Sequence, residues 1–133
     1  MALRRSTTVE QIAQAVLAAD PLDEPVVSFG VFPGRHPWLS TLAGTGFDAD
    51  AWFVSLTERS VVFHEVEFFR YRPGKLAYSM PRADARKRLS GVRRRLLLTS
   101  FDIVLPLETE PTRLNVRWAW RSELNRFLRE LSA

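Results

Sequence analysis

The sequence predicts a mainly β fold with flanking helices. Runs rich in β-branched and aromatic residues, each of strand length, recur between residues 25 and 107. Short clusters of turn-forming residues separate the central runs. Apolar residues at helical spacing occupy the two ends of the chain. We therefore expect seven antiparallel strands, preceded by a short N-terminal helix and capped by a C-terminal helix.

Residues 1–24 are predicted to form a helical extension before the first strand. Thr7 and Glu10 have the spacing of a capping box, in which each side chain bonds the backbone N–H of the other residue. Apolar residues then recur at helical spacing, at Val9, Ile12, Val16 and Leu17. The Asp20-Pro21 pair ends the pattern. We expect this amphipathic helix to pack on the sheet, and the alternative is a helix that binds a partner.

A first strand is predicted at Pro25–Phe32, and residues 33–50 are predicted to form a long surface loop. Loops of this length often carry function, so the segment is a candidate site. The Gly-Thr-Gly sequence at 44–46 lacks the spacing and the lysine that a phosphate-binding loop needs. Asp48 and Asp50 lack a third acidic residue at the spacing of a calcium loop. The loop therefore has no assigned chemistry.

The centre of the chain, Trp52–Tyr71, predicts two antiparallel strands. The polar corner Thr-Glu-Arg-Ser at residues 57–60 joins two runs of β-branched and aromatic residues. Pro73 and Gly74 then suit the central positions of a type II turn, which would return the chain into a further strand. The predicted strands of this region are 52–56, 61–71 and 75–80.

After Met80 the sequence becomes strongly basic. Predicted strands at 85–89 and 92–99 flank Ser90-Gly91, a pair that suits a hairpin turn. Alternation in this hairpin gathers four side chains on one face, those of Arg86, Arg88, Arg93 and Arg95. Like charges opposed across a ladder are destabilising, so we take these arginines as candidate anion- or partner-binding residues. The alternative is neutralisation by acids from elsewhere, at Glu65, Glu67, Glu108 or Glu110.

The last part of the chain predicts a strand and a helix. The three leucines at 96–98 are typical of a buried strand, and a final strand is predicted at 103–107, with a short extended piece at Arg113–Val116. The helix 118–132 carries one apolar face, formed by Trp120, Leu124, Phe127, Leu128 and Leu131. We expect this face to cover an end of the sheet and Trp118 to lock the start of the helix.

The composition excludes several classes of site. A chain of 133 residues suits one domain, so we expect residues 1–133 to fold as a unit. The absence of cysteine excludes disulfides, thiolate catalysis and cysteine-based zinc sites. No apolar run approaches the roughly 20 residues of a membrane span, and no apolar segment of a signal peptide follows the N-terminal arginines. We therefore predict a cytoplasmic protein without a transmembrane segment.

The sequence shows no arrangement typical of an enzyme. His36 and His64 lie on separate segments, with His36 expected in solvent, and scattered carboxylates do not give them the spacing of a metal site. No Ser-His-Asp order or nucleophile elbow is present. We therefore predict no catalytic residue, no metal and no cofactor. The net charge of +4 is modest, and its concentration after residue 81 is the more informative feature.

Three segments resemble those of bacterial PH-like domains. Trp52–Phe63, with the sequence WFVSLTERSVVF, resembles their signature of an apolar strand, Leu-Thr-Asp-x-Arg and a second apolar strand. Val26–Phe32 is similar to the first strand of uncharacterised actinobacterial members, and Lys75–Arg82 is similar to the strand that leads into their Pro/Asp corner. The resemblance covers residues 25–131 outside the long loop. It implies a seven-stranded antiparallel bent barrel with one end plugged by the C-terminal helix.

The resemblance also sets limits on the function. It implies structural roles for Leu56, Thr57 and Arg59. The basic spacing that phosphoinositide-binding PH domains carry between their first two strands is absent here, so lipid binding is not carried over from the family. We predict a non-enzymatic PH-like binding or scaffold domain whose partner is a protein or an anionic surface. The alternative is a nucleic-acid-binding protein that uses the basic 82–95 hairpin, and an enzyme or small-molecule binder that uses the region of His36 and His64 ranks third.

Overall fold

Seven antiparallel strands form one sheet in the computed structural model, which describes residues 2–34, 51–67 and 72–133. The strands are β1 (Pro25–Pro33), β2 (Trp52–Thr57), β3 (Ser60–Glu67), β4 (Arg72–Pro81), β5 (Leu89–Arg94), β6 (Leu98–Ile103) and β7 (Thr112–Arg117). Their spatial order is β4-β3-β2-β1-β7-β6-β5. Two successive meanders, β1 to β4 and β5 to β7, are thus joined through β1 and β7.

The prediction of a mainly β fold with seven antiparallel strands and a helix at each end is confirmed. The sheet is not closed into a barrel, because β4 and β5 are its two edges and do not pair with each other. Strand β1 joins the two meanders. It pairs with β2 as far as Val31, and then Phe32 and Pro33 pair with Asn115 and Leu114 of β7.

Three helices accompany the sheet: α1 (Ala2–Ala19), α2 (Arg82–Arg88) and α3 (Arg121–Ser132), the last preceded by a 3-10 turn at Trp118–Trp120. Helix α1 begins at Ala2, so Thr7 lies within the helix and the predicted capping box is wrong. Residues 2–6 extend the helix because Ala, Leu and Arg are among the strongest helix formers. Within the described residues, no helix is both long enough and apolar enough to cross a bilayer.

The C-terminal helix packs its predicted face into the core. Leu124, Phe127 and Leu131 are buried, and Leu128 is partly buried against the same cluster. The ring of Phe127 meets that of Phe29 from β1 edge to face, with centroids 5.0 Å apart. This helix contacts β1 and β7, so it lies over the junction of the two meanders.

Helix α1 contacts β1, β2 and β4 of the first meander. Alternation along β1 turns Ser28 away from the face that carries Phe29. Its hydroxyl bonds that of Ser55 on β2 at 2.8 Å, and both side chains are buried. Ile12 and Val16 of α1 are also buried, which confirms that this helix packs on the sheet.

The segment after Met80 differs most from the prediction. The predicted strand 85–89 is helix α2, whose sequence RADARKR lacks β-branched residues and consists largely of helix formers. Asp84 in its first turn and the basic residues of its last turn match the helix dipole. Ser90-Gly91 lies inside β5, where a register shift and a φ of +64° at Gly91 mark a β-bulge instead of a hairpin turn.

Other boundaries also shift. The strand predicted at 103–107 is wrong, because β6 ends at Ile103 and the final strand is β7, which includes the short extended piece expected there. Gly74 lies within β4 without a positive φ, so the predicted type II turn is wrong too. His36, the Gly-Thr-Gly sequence and the acidic pair of the long loop lie outside the described residues.

Candidate functional site

The four arginines predicted to share one hairpin face lie on three different elements. Arg86 and Arg88 belong to α2, Arg93 belongs to β5, and Arg95 lies in the turn between β5 and β6. The predicted cross-strand pairing of these arginines is therefore wrong. In the actual pairing, β5 faces β6, and Arg93 lies opposite Ser100.

Arg86 and Arg88 bind backbone carbonyls. The Nε of Arg86 donates to the carbonyl oxygen of Leu131 at 2.7 Å, at the C-terminal end of α3. The Nη1 of Arg88 donates to the carbonyl oxygens of Val104 and Leu105 at 3.0 and 3.2 Å. The last carbonyls of a helix have no partner within it, and cations stabilise that end. Both arginines therefore join elements of the fold.

Arg93 is neutralised by an acid that the sequence had not indicated. Its guanidinium lies 3.5 Å from Oδ2 of Asp102 on β6. The other carboxylate oxygen of Asp102 lies 3.3 Å from Nε of Arg113 on β7. This carboxylate thus serves two arginines from the neighbouring strands. None of the four glutamates proposed as neutralising acids forms an ion pair with Arg93 in the described part of the chain.

Arg95 is exposed and differs from the other three arginines of the predicted set in its contacts. Among the described residues, its side chain has no hydrogen-bond or ion-pair partner. The next two residues, Leu96 and Leu97, have 81% and 71% of their surface exposed, so the prediction that they form a buried strand is wrong. They occupy the turn, because β6 begins one residue later, at Leu98.

The start of the C-terminal helical segment lies against this turn. The backbone N–H of Trp118 donates to the carbonyl oxygen of Leu97 at 3.1 Å. Nη2 of Arg121 approaches the carbonyl oxygen of Arg95 at 3.4 Å. The side chain of Trp118 is 63% exposed, so it does not lock the helix start, and Trp120 is the buried tryptophan there.

We call the resulting surface the basic-apolar tip. Its seven exposed residues are Arg94, Arg95, Leu96, Leu97, Arg117, Trp118 and Arg121. No acidic residue occurs within the contributing stretches 89–101 and 111–122, and the nearest acids along the chain are Asp102, Glu110 and Glu123 at their ends. Exposed apolar side chains near four exposed arginines, which we call the rim arginines, can associate with a surface that offers negative charge at its boundary.

Two contacts fix the direction of the rim arginines. Nη1 of Arg94 donates to the side-chain oxygen of Asn125 on α3. The guanidinium carbon of Arg117 lies 4.6 Å above the ring of Phe32, in a cation–π contact. Neither contact neutralises the charge, because both partners are uncharged. The arginines are thus held in place while remaining able to attract anions.

The motif around Thr57 holds the β2–β3 turn together. Thr57 Oγ1 donates to the buried carboxylate of Asp23 at 2.7 Å and accepts from the N–H of Ser60 at 2.8 Å. The other oxygen of Asp23 accepts from the N–H of Arg59 at 3.0 Å. The guanidinium of Arg82 reaches the carbonyl oxygens of Thr57 and Glu58 at 3.3 Å. These groups join the loop before β1, the turn and the start of α2.

His64 is buried in an apolar setting. It lies opposite Phe53 and Leu76 in the ladder, only 3% of its surface is exposed, and its Nδ1 has no hydrogen-bond partner in the described structure. Burial lowers the pKa of this imidazole below its usual value. Within the described residues, no three His, Asp or Glu side chains lie close enough together to hold a metal ion.

Sequence reasoning missed most of the tip. The sequence pattern places Leu96 and Leu97 in a buried strand and predicts that Trp118 locks the start of the helix. The signal that could have found them is the abrupt junction of three arginines and three leucines at 93–98, which places charge directly beside apolar surface. No family model matches the chain, and no curated protein or solved structure matches it either.

Proposed function

We propose that this chain is a non-enzymatic PH-like binding domain that docks on an anionic surface through the basic-apolar tip. The observation that carries the proposal is the group of four exposed arginines, Arg94, Arg95, Arg117 and Arg121, in stretches of chain without any acid. Exposed like charges raise the electrostatic energy of the folded protein. An anionic partner would lower this electrostatic energy, which favours binding.

The PH-like assignment has two supports. The segment Trp52–Phe63 resembles the signature of bacterial PH-like domains, and seven antiparallel strands followed by a C-terminal helix match the element order of that architecture, although the sheet is not closed into its barrel. In this proposal the domain acts in the cytoplasm, for which its cysteine-free composition is suited. Fold resemblance alone does not assign a partner, so the partner class is inferred from the tip.

Heparin titration tests the proposal with matched charge variants. The double variant Arg95→Ser, Arg117→Ser removes two cations from the tip, and the double variant Arg126→Ser, Arg129→Ser removes two exposed cations from α3. We expect the first to weaken binding and to reduce the slope of log affinity against log salt by about one unit per lost contact, and the second to change little. Equal losses, or no binding of the parent protein at low salt, would overturn the proposal.

Nucleic acid is the second anionic partner considered. The alternative based on the 82–95 hairpin is weakened, because that hairpin does not form and two of its arginines, Arg86 and Arg88, bind carbonyls. Duplex DNA in the same titration distinguishes the two functions. Binding that Arg95→Ser leaves unchanged and Lys87→Ser weakens would favour the nucleic-acid function, since Lys87 is exposed on α2.

A further inference from the structure

We propose that the anionic surface is a lipid bilayer and that Leu96, Leu97 and Trp118 insert into it while the surrounding arginines contact acidic headgroups. This inference rests on the proposed function and deepens it. Leu96 and Leu97 are neighbouring apolar residues with 81% and 71% of their surface exposed. Large apolar residues that cluster at an exposed position mark an interaction site.

The backbone presents the two leucines in a defined direction. The N–H of Arg95 donates to the carbonyl oxygen of Leu98 at 3.0 Å and closes the turn. The N–H of Trp118 donates to the carbonyl oxygen of Leu97 at 3.1 Å and ties the turn to the neighbouring chain. The leucine side chains contribute little to this geometry because they are exposed. The turn therefore keeps its shape whether or not they are covered.

The composition of the tip matches the layers of a membrane interface. Aliphatic side chains suit the acyl region, and tryptophan prefers the headgroup boundary, where its ring is buried and its N–H is hydrated. The negative surface potential of acidic lipids attracts arginines. The long aliphatic stem of arginine lets the guanidinium stay among the headgroups. Arg95 directly precedes Leu96 in the sequence and Arg117 directly precedes Trp118, and the guanidinium of Arg117 is held above the ring of Phe32.

Duplex DNA and soluble acidic proteins suit the arginines of the tip but not its exposed leucines. Duplex DNA offers phosphates but gains nothing from two exposed leucines, which would face water or the sugar-phosphate backbone. A soluble acidic protein would need a cavity to receive a projecting hairpin turn. A bilayer offers both kinds of contact. Its acidic headgroups suit the arginines of the tip, and the acyl layer beneath them suits the leucines.

Leu107 provides a matched control within the same molecule. It is fully exposed and lies in the β6–β7 connection, whereas the tip lies at the other end of β6. Glu108 and Glu110 follow it, so an acidic membrane would repel this region. Replacing this leucine by serine therefore removes an exposed apolar side chain without touching the proposed insertion.

Vesicle co-sedimentation tests the inference on the full chain. The vesicles are phosphatidylcholine alone and phosphatidylcholine mixed with phosphatidylserine, each at low and physiological salt. We expect binding only to the mixed vesicles and about a tenfold loss for Leu96→Ser or Leu97→Ser. Leu107→Ser should bind like the parent protein. Circular dichroism confirms that each variant is folded, as expected for exposed positions.

Tryptophan fluorescence reports insertion independently of affinity. On the mixed vesicles, we expect a blue shift and quenching by lipids brominated on their acyl chains, and we expect both signals to decrease in Trp118→Phe. The other three tryptophans remain in that variant and supply the background. Parent protein that sediments with the vesicles without a blue shift or quenching contradicts insertion.

The outcomes separate this inference from the proposed function. If Leu96→Ser and Leu97→Ser bind like the parent protein while Arg95→Ser binds more weakly, insertion is overturned and the anionic-surface function stands. If heparin and DNA bind but mixed vesicles do not, the proposal of a bilayer as the partner is overturned and the anionic-surface function stands. If nothing anionic binds at low salt, both proposals fall. Leucine-dependent binding with quenching of Trp118 supports both.

Discussion

Arg86 donates a hydrogen bond from its Nε to the carbonyl oxygen of Leu131 at 2.7 Å, so a side chain of α2 caps the C-terminal end of α3. Its Nη2 also reaches the carbonyl oxygen of Ala133 at 2.9 Å. The basic segment therefore contains structural arginines as well as arginines of the tip, and the two groups can be separated by mutation.

We expect Arg86→Ala to lower the free energy of unfolding by about 1 kcal/mol, because charge-assisted bonds to helix-end carbonyls are lost. Arg95→Ala should change it by less than about 0.5 kcal/mol, since its side chain is exposed and unpaired among the described residues. Urea denaturation of both variants measures the difference, and heparin affinity should show the reverse order. Equal losses of stability in the two variants would contradict the separation of structural arginines from arginines of the tip.

The buried carboxylate of Asp23 organises the β2–β3 turn, so its removal should be costly. Asp23→Ala leaves the N–H of Arg59 and the hydroxyl of Thr57 without their partner, and we expect a loss of about 1–3 kcal/mol. Glu24→Ala removes an exposed acid from the next position and should cost less than about 0.5 kcal/mol. Thermal melts of both variants would test this. A similar shift in the two melting temperatures would show that the network contributes little.

Buried His64 should make stability depend on pH. Its pKa in the folded protein is lowered below the ordinary value of 6.5, so between these two pKa values the unfolded chain binds more protons. Stability should therefore fall as the pH decreases through about 6.5, with a slope of at most about 1.4 kcal/mol per pH unit.

The variant His64→Leu isolates this effect. It cannot titrate at position 64, and His36 and the carboxylates are common to both proteins. We expect the variant to gain stability relative to the parent protein as the pH is lowered from 7.5 to 5, measured by denaturant midpoints. A difference between the two proteins that stays constant with pH would contradict the burial of a neutral imidazole.

Gly91 is required at the bulge of β5. Its φ is +64°, and a β-carbon there would lie 2.9 Å from Oδ2 of Asp102. We expect Gly91→Ala to cost at least about 1 kcal/mol, because an L-residue is strained at this φ and the carboxylate between Arg93 and Arg113 must move. Ser90→Ala, at the exposed preceding position, should cost less than about 0.5 kcal/mol. Urea midpoints that coincide for the two variants would argue against the bulge.

Leu107 is strained without being buried. It has a φ of +69° and a fully exposed side chain, in a turn closed by the bond from the N–H of Glu108 to the carbonyl oxygen of Leu105 at 3.0 Å. We expect Leu107→Gly to raise the free energy of unfolding by about 0.5–1 kcal/mol, since glycine adopts this φ without strain. Leu107→Ala keeps the β-carbon and should give no gain. Calorimetry that shows the same increase for both variants would contradict a backbone origin.

The sequence by itself determined the elements whose burial follows a local period. The apolar stripe of Leu124, Phe127 and Leu131 repeats at helical spacing, and the structure buries it in α3. Strands β1 and β2 and the start of β3 were predicted within one residue, because their β-branched and aromatic runs are bounded by turn-forming residues. In these places, local preference and tertiary packing favour the same structure.

Only the tertiary structure decided the secondary structure and the exposure of the segment from Arg82 to Leu98. The helix formers and arginines of this segment are compatible with a helix or with an exposed strand. In the structure, β5 contains a bulge at Gly91 and ends at Arg94, so Leu96 and Leu97 lie in a turn and not in the predicted strand. A shift of strand register changes the partner of each residue across the ladder, and with it whether the side chain is buried or exposed. Trp118 joins the turn through a bond between residues 21 positions apart in sequence, a proximity that no local pattern encodes. The sequence therefore contained only part of the candidate site, at residues 93–98, because the site is completed where β5, β6 and the start of α3 meet.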